Sequence, residues 1–317
     1  MASSAIAPLL RGADRAVTVL ASFPQAAYLS VGDALVALVT SDGIRHPNAV
    51  VLDLPSAARP LERLVTAPTG RIGRHGLSIG GLELHIVRWW DPRPRLRGST
   101  PAALRAASEL TRQRLAEVAG PLAEPSHTAL AAALADSVGT VVAALKAGDD
   151  VAAFAAARRI VGLGPGLTPS GDDRLAGLIA GTLVLAPSIA SASSGRADGG
   201  AAGADSVGAT ERLGHAVAAA AEGRTTSVSA ALLRHAASGQ MADPATALVR
   251  AWVAADRDTV RATDRLLAVG SSSGRDLALG LLAAVELLTD EHTGPGRTGP
   301  TPRTHPDPRH HTTERYS

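Results

Sequence analysis

The chain has 317 residues, of which 45% are hydrophobic and 19% charged, with a formal net charge of +2. A chain of this size and hydrophobicity can bury a real core. The absence of cysteine removes disulfide frameworks, thiolate zinc sites, iron–sulfur clusters and thiol nucleophiles.

The first third reads as β-rich. Residues 16–20, 34–40 and 49–54 are short runs rich in Val and Leu, separated by turn residues such as Gly32-Asp33 and Ser41-Asp42-Gly43. Residues 77–79 and 82–87 flank Gly80-Gly81, the pattern of a tight hairpin. A Pro/Arg-rich connector follows over 92–97. Thr100 then stands as an N-cap before Pro101 at a first helical position. Helical periodicity runs from there to 119. It recurs over 130–147, 150–160, 173–185, 211–221, 229–237, 244–254, 259–267 and 275–288. The expected architecture is α+β: a β-rich N-terminal domain over 1–98, then a mainly α-helical domain over 99–290. An Ala/Ser/Gly-rich insertion at 187–208 and a Pro/Thr/His/Arg-rich tail at 291–317 are expected to be disordered.

Other exclusions follow from particular residues. The only lysine, Lys146, lies in a helical run, so a Schiff-base enzyme or a phosphate-loop NTPase has no suitably placed amine. Charge is nearly balanced and aromatics make up 2%, which leaves little for nucleic acid to bind. No apolar run of membrane-spanning length is free of polar interruption, and no signal peptide is read at the N-terminus. The expectation is a cytoplasmic protein without membrane or nucleic-acid partners.

The informative motif is GLGPGLTPSGDD at 162–173. Its glycine spacing is not that of a dinucleotide fingerprint, and Asp172-Asp173 stands where a Walker loop needs Lys and Ser or Thr. A second segment, 273–283, repeats the form of 170–180. Both fit S-G-x-D-x-x-x-G-L-x-A, an internal half-repeat. Each half puts Ser and Gly at a helix start and Asp in its first turn. The bland account is a capping box, with the later glycines allowing close helix packing. The functional account is a loop baring backbone N–H groups to an anion, through Gly164, Gly166, Thr168, Ser170, Gly171, Ser273 and Gly274. A carboxylate about 4 Å from such an anion opposes it by roughly 4 kcal/mol, more than a helix terminus gives. Asp172, Asp173 and Asp276 therefore either point away, or hold Mg²⁺ between themselves and the ligand, or are offset by Arg275 or Arg224. The turn at 224–229, with Thr226, is a further candidate for an anion. His235 reads as a surface or packed histidine, and His46-Pro47 and Arg88-Trp89-Trp90 as turn and strand-end residues that could also edge a cleft.

At residues 162–173, supported by 226–233 and 270–276, the chain resembles the bacterial family that includes the AllH-type subunit of oxamate carbamoyltransferase, over most of residues 11–288. The resemblance implies a cytoplasmic protein that works with partner subunits on carbamoyl phosphate and oxamate, small anionic metabolites of allantoin catabolism. It carries the site onto Gly164, Gly166, Thr168, Ser170, Gly171, Asp172, Asp173, Ser273, Gly274 and Asp276. The Ser-x-Arg-Thr loop of ordinary carbamoyltransferases is missing, Arg224-Thr225-Thr226 being the nearest segment. Two other functions stay open at this point: a noncatalytic metabolite-binding or scaffold subunit, and a Mg-nucleotide-dependent phosphotransferase or ligase.

Overall fold

The computed structural model describes residues 1–118, 125–193 and 200–290. The expected tail, with its histidines, lies outside these residues, as does the stretch 194–199. The chain opens with β1 (Ala2–Ser3), the short helix α1 (Ala7–Arg11), and strands β2 (Arg15–Ser22), β3 (Ala26–Val31), β4 (Ala34–Val39) and β5 (Ala49–Val51). After the single-turn helix α2 (Arg63–Thr66) come β6 (Thr69–Gly73), β7 (Gly76–Ile79), β8 (Leu82–Leu84) and β9 (Trp89–Trp90). The strands form one curled sheet in the order β8-β7-β6-β2-β3-β4-β5-β1-β9. The Gly80-Gly81 hairpin joins β7 to β8 as its sequence implies, with Ile79 opposite Leu82.

Strand β4 is apolar throughout because both its faces are covered. Val36 and Leu38 join Leu29, Ile72 and Leu77 in one cluster, while Ala37 and Val39 join Ala49 and Val51 on the other side. β4 and β5 pair in parallel, Ala37 opposite Ala49. Two parallel neighbours cannot be joined by a tight hairpin, so the chain must cross from one end of the pair to the other. Residues 40–48 make that crossing, pinned by Asn48 Nδ2 donating to the Leu35 carbonyl at 3.0 Å. The crossing carries His46 and Pro47 away from the sheet.

The helical region comprises α3 (Pro101–Val118), α4 (Pro125–Ala147), α5 (Asp150–Ile160), α6 (Ser170–Ser193), α7 (Gly200–Ala220), α8 (Ser227–Ala236), α9 (Asp243–Ala254), α10 (Thr259–Leu267) and α11 (Ser273–Thr289). An N-terminal sheet followed by a helical C-terminal region is the expected fold class. Thr100 caps α3 through its Oγ1, which accepts the Ala103 N–H at 3.2 Å. Asp149 caps α5 in the same way, through the Ala152 N–H at 2.8 Å. The expected insertion at 187–208 is corrected: its described residues are helical, α6 running on through Pro187 to Ser193 and α7 starting at Gly200. Alanine is the strongest helix former, so an Ala/Ser-rich composition did not mean an irregular chain. Ser188 also anchors this stretch, its carbonyl accepting the Ser99 N–H at 3.1 Å and its hydroxyl donating to the Arg97 carbonyl.

Two helices among the described residues, over Ala129–Ala147 and Ser170–Ala192, are long and apolar enough by length and composition to cross a bilayer, although polar residues interrupt both. Of the second, 61% is buried inside the fold, because α6 is its core helix. Leu175, Leu178 and Ile179 face one cluster of the helical core, and Ala180, Val184 and Leu185 face the other.

The half-repeat is a physical pairing of α6 with α11. A methyl on Gly177 would lie 2.4 Å from the Leu277 carbonyl oxygen, and one on Gly280 would lie 2.1 Å from that of Arg174. Residues 174 and 277 are equivalent in the repeat, so the contact is reciprocal. At the helix starts the same reciprocity holds. A Cβ on Gly171 would meet the Ile160 carbonyl oxygen at the end of α5, and one on Gly274 would meet that of Leu266 near the end of α10, at 1.9 and 1.8 Å. The glycines are there because backbone occupies the space a side chain would need.

Candidate functional site

Neither capping box forms. α6 begins at Ser170 itself, and its first N–H groups are consumed locally: Gly171 donates to the Leu163 carbonyl at 2.9 Å, and Asp172 and Asp173 donate to that of Pro169. α11 is preceded by Ser272, which makes no side-chain cap, and Asp276 turns its carboxylate elsewhere. The three aspartates have three different environments.

Asp172 is 1% exposed and holds the loop closed. Its Oδ1 accepts the Gly162 N–H at 2.8 Å, and its Oδ2 accepts the Ser229 hydroxyl at 2.7 Å and the Thr225 hydroxyl. Thr226 caps α8 through the Ser229 N–H at 3.0 Å and donates to the Leu167 carbonyl. The turn at 224–229 is thus the buttress of the glycine loop. Gly164 and Gly166, at φ +123° and +93°, shape that loop where an L side chain would be strained.

Asp276 forms a buried ion pair with Arg174, Oδ1 to Nε at 2.9 Å, both side chains 7% exposed. Arg174 also donates to the Ala131 carbonyl at 3.3 Å, tying α4 to the α6–α11 pair.

Asp173 differs from both. It is 7% exposed, and its Oδ2 is buried without a hydrogen-bond partner. Burial pushes its pKa up to about 8, the nearby Asp276 and Asp172 charges adding to the rise against the Ser273 and Thr168 hydroxyls. Those two hydroxyls share a 2.6 Å hydrogen bond that links the glycine loop to the second half-repeat.

Asp173, Thr168 and Ser273 line one cavity of about 210 Å³. Its walls come from both parts of the fold: Tyr28, Ile44, His46 and Pro47 from the sheet region, and Leu232, Gln240, Met241 and Leu277 among those from the helices. Its volume lies below the range of drug-sized pockets, so it suits a small metabolite. No Arg or Lys is among its lining residues. Burial pushes the His46 pKa down to about 4, so this ring is neutral at pH 7. His235 sits behind the wall, its Nδ1 2.6 Å from Gln240 Oε1, a packed histidine rather than a surface one.

The sequence-derived residues therefore separate. Thr168, Asp173 and Ser273 meet at the cavity. Ser170, Gly171 and Gly274 build the helix starts beneath it. Arg224 and Arg275 are exposed and do not line it; Arg224 donates to the Arg158 carbonyl at 3.2 Å. The three aspartates do not form a Mg²⁺ ligand set: Asp172 is taken up by three donors and Asp276 by an arginine, and no group of metal-ligating side chains occurs among the described residues. Of the two possible cleft edges in the sequence, His46-Pro47 lines the cavity and Arg88-Trp89-Trp90 does not; Tyr28, Ile44, Gln240 and Met241 lie in no sequence motif.

Residues 160–285 match the family described as oxamate carbamoyltransferase subunit AllH. The match bears out the resemblance seen in the glycine-rich motif, over the segment from the end of α5 into α11. No solved structure matches the chain.

Proposed function

From a chain whose residues 160–285 are of the AllH type, we propose that it is the acceptor-holding subunit of an oxamate-carbamoyltransferase-type enzyme, acting in the cytoplasm beside partner subunits. The single observation that carries this reading is the coincidence of the AllH-type segment with the two helix starts that floor the cavity. Asp173 is the one aspartate of the motif left open there. A small carboxylate that also bears an amide fits a narrow cavity with hydroxyls, an acid group and apolar walls.

The same cavity argues against holding carbamoyl phosphate here. A phosphate dianion is stabilised by arginine, lysine or a metal, and this cavity has neither cationic side chain, with His46 held neutral. Lys146 is engaged elsewhere, 2.7 Å from Asp290. In this reading the phosphate end of the reaction belongs to a partner subunit, and the chain alone binds but does not turn over. A Mg-nucleotide phosphotransferase draws no support from the cavity for the same reason.

The test is a thermal-shift titration of the purified full chain with oxamate and with carbamoyl phosphate, each with and without Mg²⁺. Oxamate at a hundred times its dissociation constant is expected to add about 2.7 kcal/mol of stability, and Asp173→Ala to abolish the shift. Carbamoyl phosphate alone is expected to give none. A shift with carbamoyl phosphate but not oxamate would reverse the assignment, and no shift with either would leave a scaffold subunit.

A further inference from the structure

The half-repeat makes Asp173 and Asp276 equivalent positions, yet the chain treats them differently. Asp276 on α11 receives the guanidinium of Arg174 from α6. The reciprocal contact would bring residue 277 of α11 to Asp173 of α6, because 277 stands to 174 as 276 stands to 173. That the helices obey this reciprocity is shown by the paired close approaches of Gly177 to the Leu277 carbonyl and of Gly280 to the Arg174 carbonyl. Residue 277 is leucine. It has no donor, and it lines the cavity together with Asp173. Asp173 meets the Ser273 and Thr168 hydroxyls, but its Oδ2 is buried without a hydrogen-bond partner, in a residue only 7% exposed.

A buried carboxyl oxygen without a partner is costly, and such groups are retained where something else completes them. One member of the repeat is completed from within by a planar N–H group. We infer that the other is completed by the ligand: the cavity takes a small molecule bearing a planar N–H donor, an amide, ureido or guanidino group, set on Asp173 in the position that Leu277 leaves empty. Asp173 is then the specificity-determining residue and Leu277 the residue that keeps its place open. This rests on the acceptor-binding reading only for the identity of the ligand; the donor requirement comes from the repeat.

The supporting chemistry is consistent in either protonation state. A protonated Asp173 offers an O–H and a C=O, which match the C=O and N–H of an amide; an ionised one accepts two N–H groups. A carboxylate in the same place offers acceptors only: it can take the O–H of a protonated Asp173 but leaves its C=O without a donor, and it is repelled by an ionised one.

The experiment is calorimetric titration of the full chain with four probes: oxamate, oxalate, N-methylurea and methylguanidine. Oxalate has the shape of oxamate with a carboxylate in place of the amide. At least one N–H probe is expected to bind at least tenfold more tightly than oxalate, with the preference lost in Asp173→Leu. Leu277→Arg supplies the missing guanidinium from within. It is expected to abolish probe binding while leaving the melting temperature equal or higher. Oxamate and oxalate binding equally, or Leu277→Arg binding unimpaired, or no N–H probe binding, overturns the inference. The two readings fail separately. Binding of N-methylurea or methylguanidine but not oxamate, dependent on Asp173, keeps the donor rule and removes the proposed acceptor. Equal binding of oxamate and oxalate keeps a small-carboxylate site and removes the donor rule.

Discussion

Asp172 and Asp173 are neighbours with opposite tasks, and single substitutions separate them. Asp172→Ala would strand the Gly162 N–H and the Ser229 and Thr225 hydroxyls. It is expected to cost roughly 3 kcal/mol, read as a lower urea midpoint with an unchanged slope. Asp173→Asn is expected to do the reverse. Its carboxyl has a folded pKa of about 8 against an ordinary 3.8, so between those values the folded chain binds more protons than the unfolded one. Stability then falls as pH rises, at a limiting slope of about 1.4 kcal/mol per unit. His46 works the other way, since its lowered folded pKa of about 4 makes stability rise with pH up to its unfolded value near 6.5. The lowered pKa of His235 has the same sign as that of His46. In the window from about pH 6.5 to 8 both histidines are neutral in either state, and the N-terminal amine, its pKa also lowered by burial, is common to both chains and cancels in the difference, which leaves Asp173. The stability of Asp173→Asn minus that of the parent should grow across that window, measured by urea unfolding at several pH values. A flat difference would mean that Asp173 is ionised in the folded chain. None of this division was legible in the sequence. The motif was, but Asp172 finds its partners on the 224–229 turn and Asp276 finds Arg174 on another helix, so residue type alone assigned all three aspartates the same chemistry. Charge alone points to Arg224 and Arg275, and their exposure removes them from the cavity.

The α6–α11 pair is the element on which the site rests, because both helix starts, both glycine contacts and the Arg174–Asp276 pair belong to it. Gly177→Ala and Gly280→Ala would each press a methyl against a backbone carbonyl that cannot rotate away. Each is expected to cost about 1–3 kcal/mol in thermal or urea unfolding, and together less than the sum, since one separation of the helices relieves both. The ion pair gives a sharper contrast. Arg174→Ala leaves Asp276 buried and unpaired and is expected to cost about 3–5 kcal/mol, whereas Arg174→Met with Asp276→Leu should recover most of that. A double variant no better than the single one would show that the pair is needed for more than neutralisation. At this scale the sequence was more informative. α5 and α10 fell where the periodicity put them, α5 with a capping side chain at Asp149. α6 and α7 run beyond the expected bounds because an Ala/Ser-rich composition, though loop-like in polarity, favours helix. β6, with two glycines and an arginine in five residues, has no alternation of its own, and forms because β2 and β7 pair with it on either side.

At the scale of the whole molecule, the cavity exists only because a sheet and a helical region close on each other. The parallel pairing of β4 and β5 forces residues 40–48 across, and that crossing delivers Ile44, His46 and Pro47 to the wall opposite Asp173. Arg45 within it pairs with Asp243 at the start of α9, and Arg93 donates to the Ser238 carbonyl, so the two regions are latched on that side. The AllH-type match begins at residue 160. The acid group thus comes from the matched segment and the opposing wall from outside it, so chains sharing the motif could differ in what their sheet admits. A ligand held between the two should quiet both. In hydrogen exchange of the full chain with saturating oxamate, peptides covering 44–48 and 240–242 are expected to gain protection together with those covering 167–173. The hairpin of β7 and β8, remote from the cavity in the sheet order, should not change. Protection confined to 167–173 would mean that the ligand sits on the loop alone and that the sheet only supports it. Protection of both sides, lost in Asp173→Ala, would make the sheet wall the place to look for selectivity, beginning with His46→Leu.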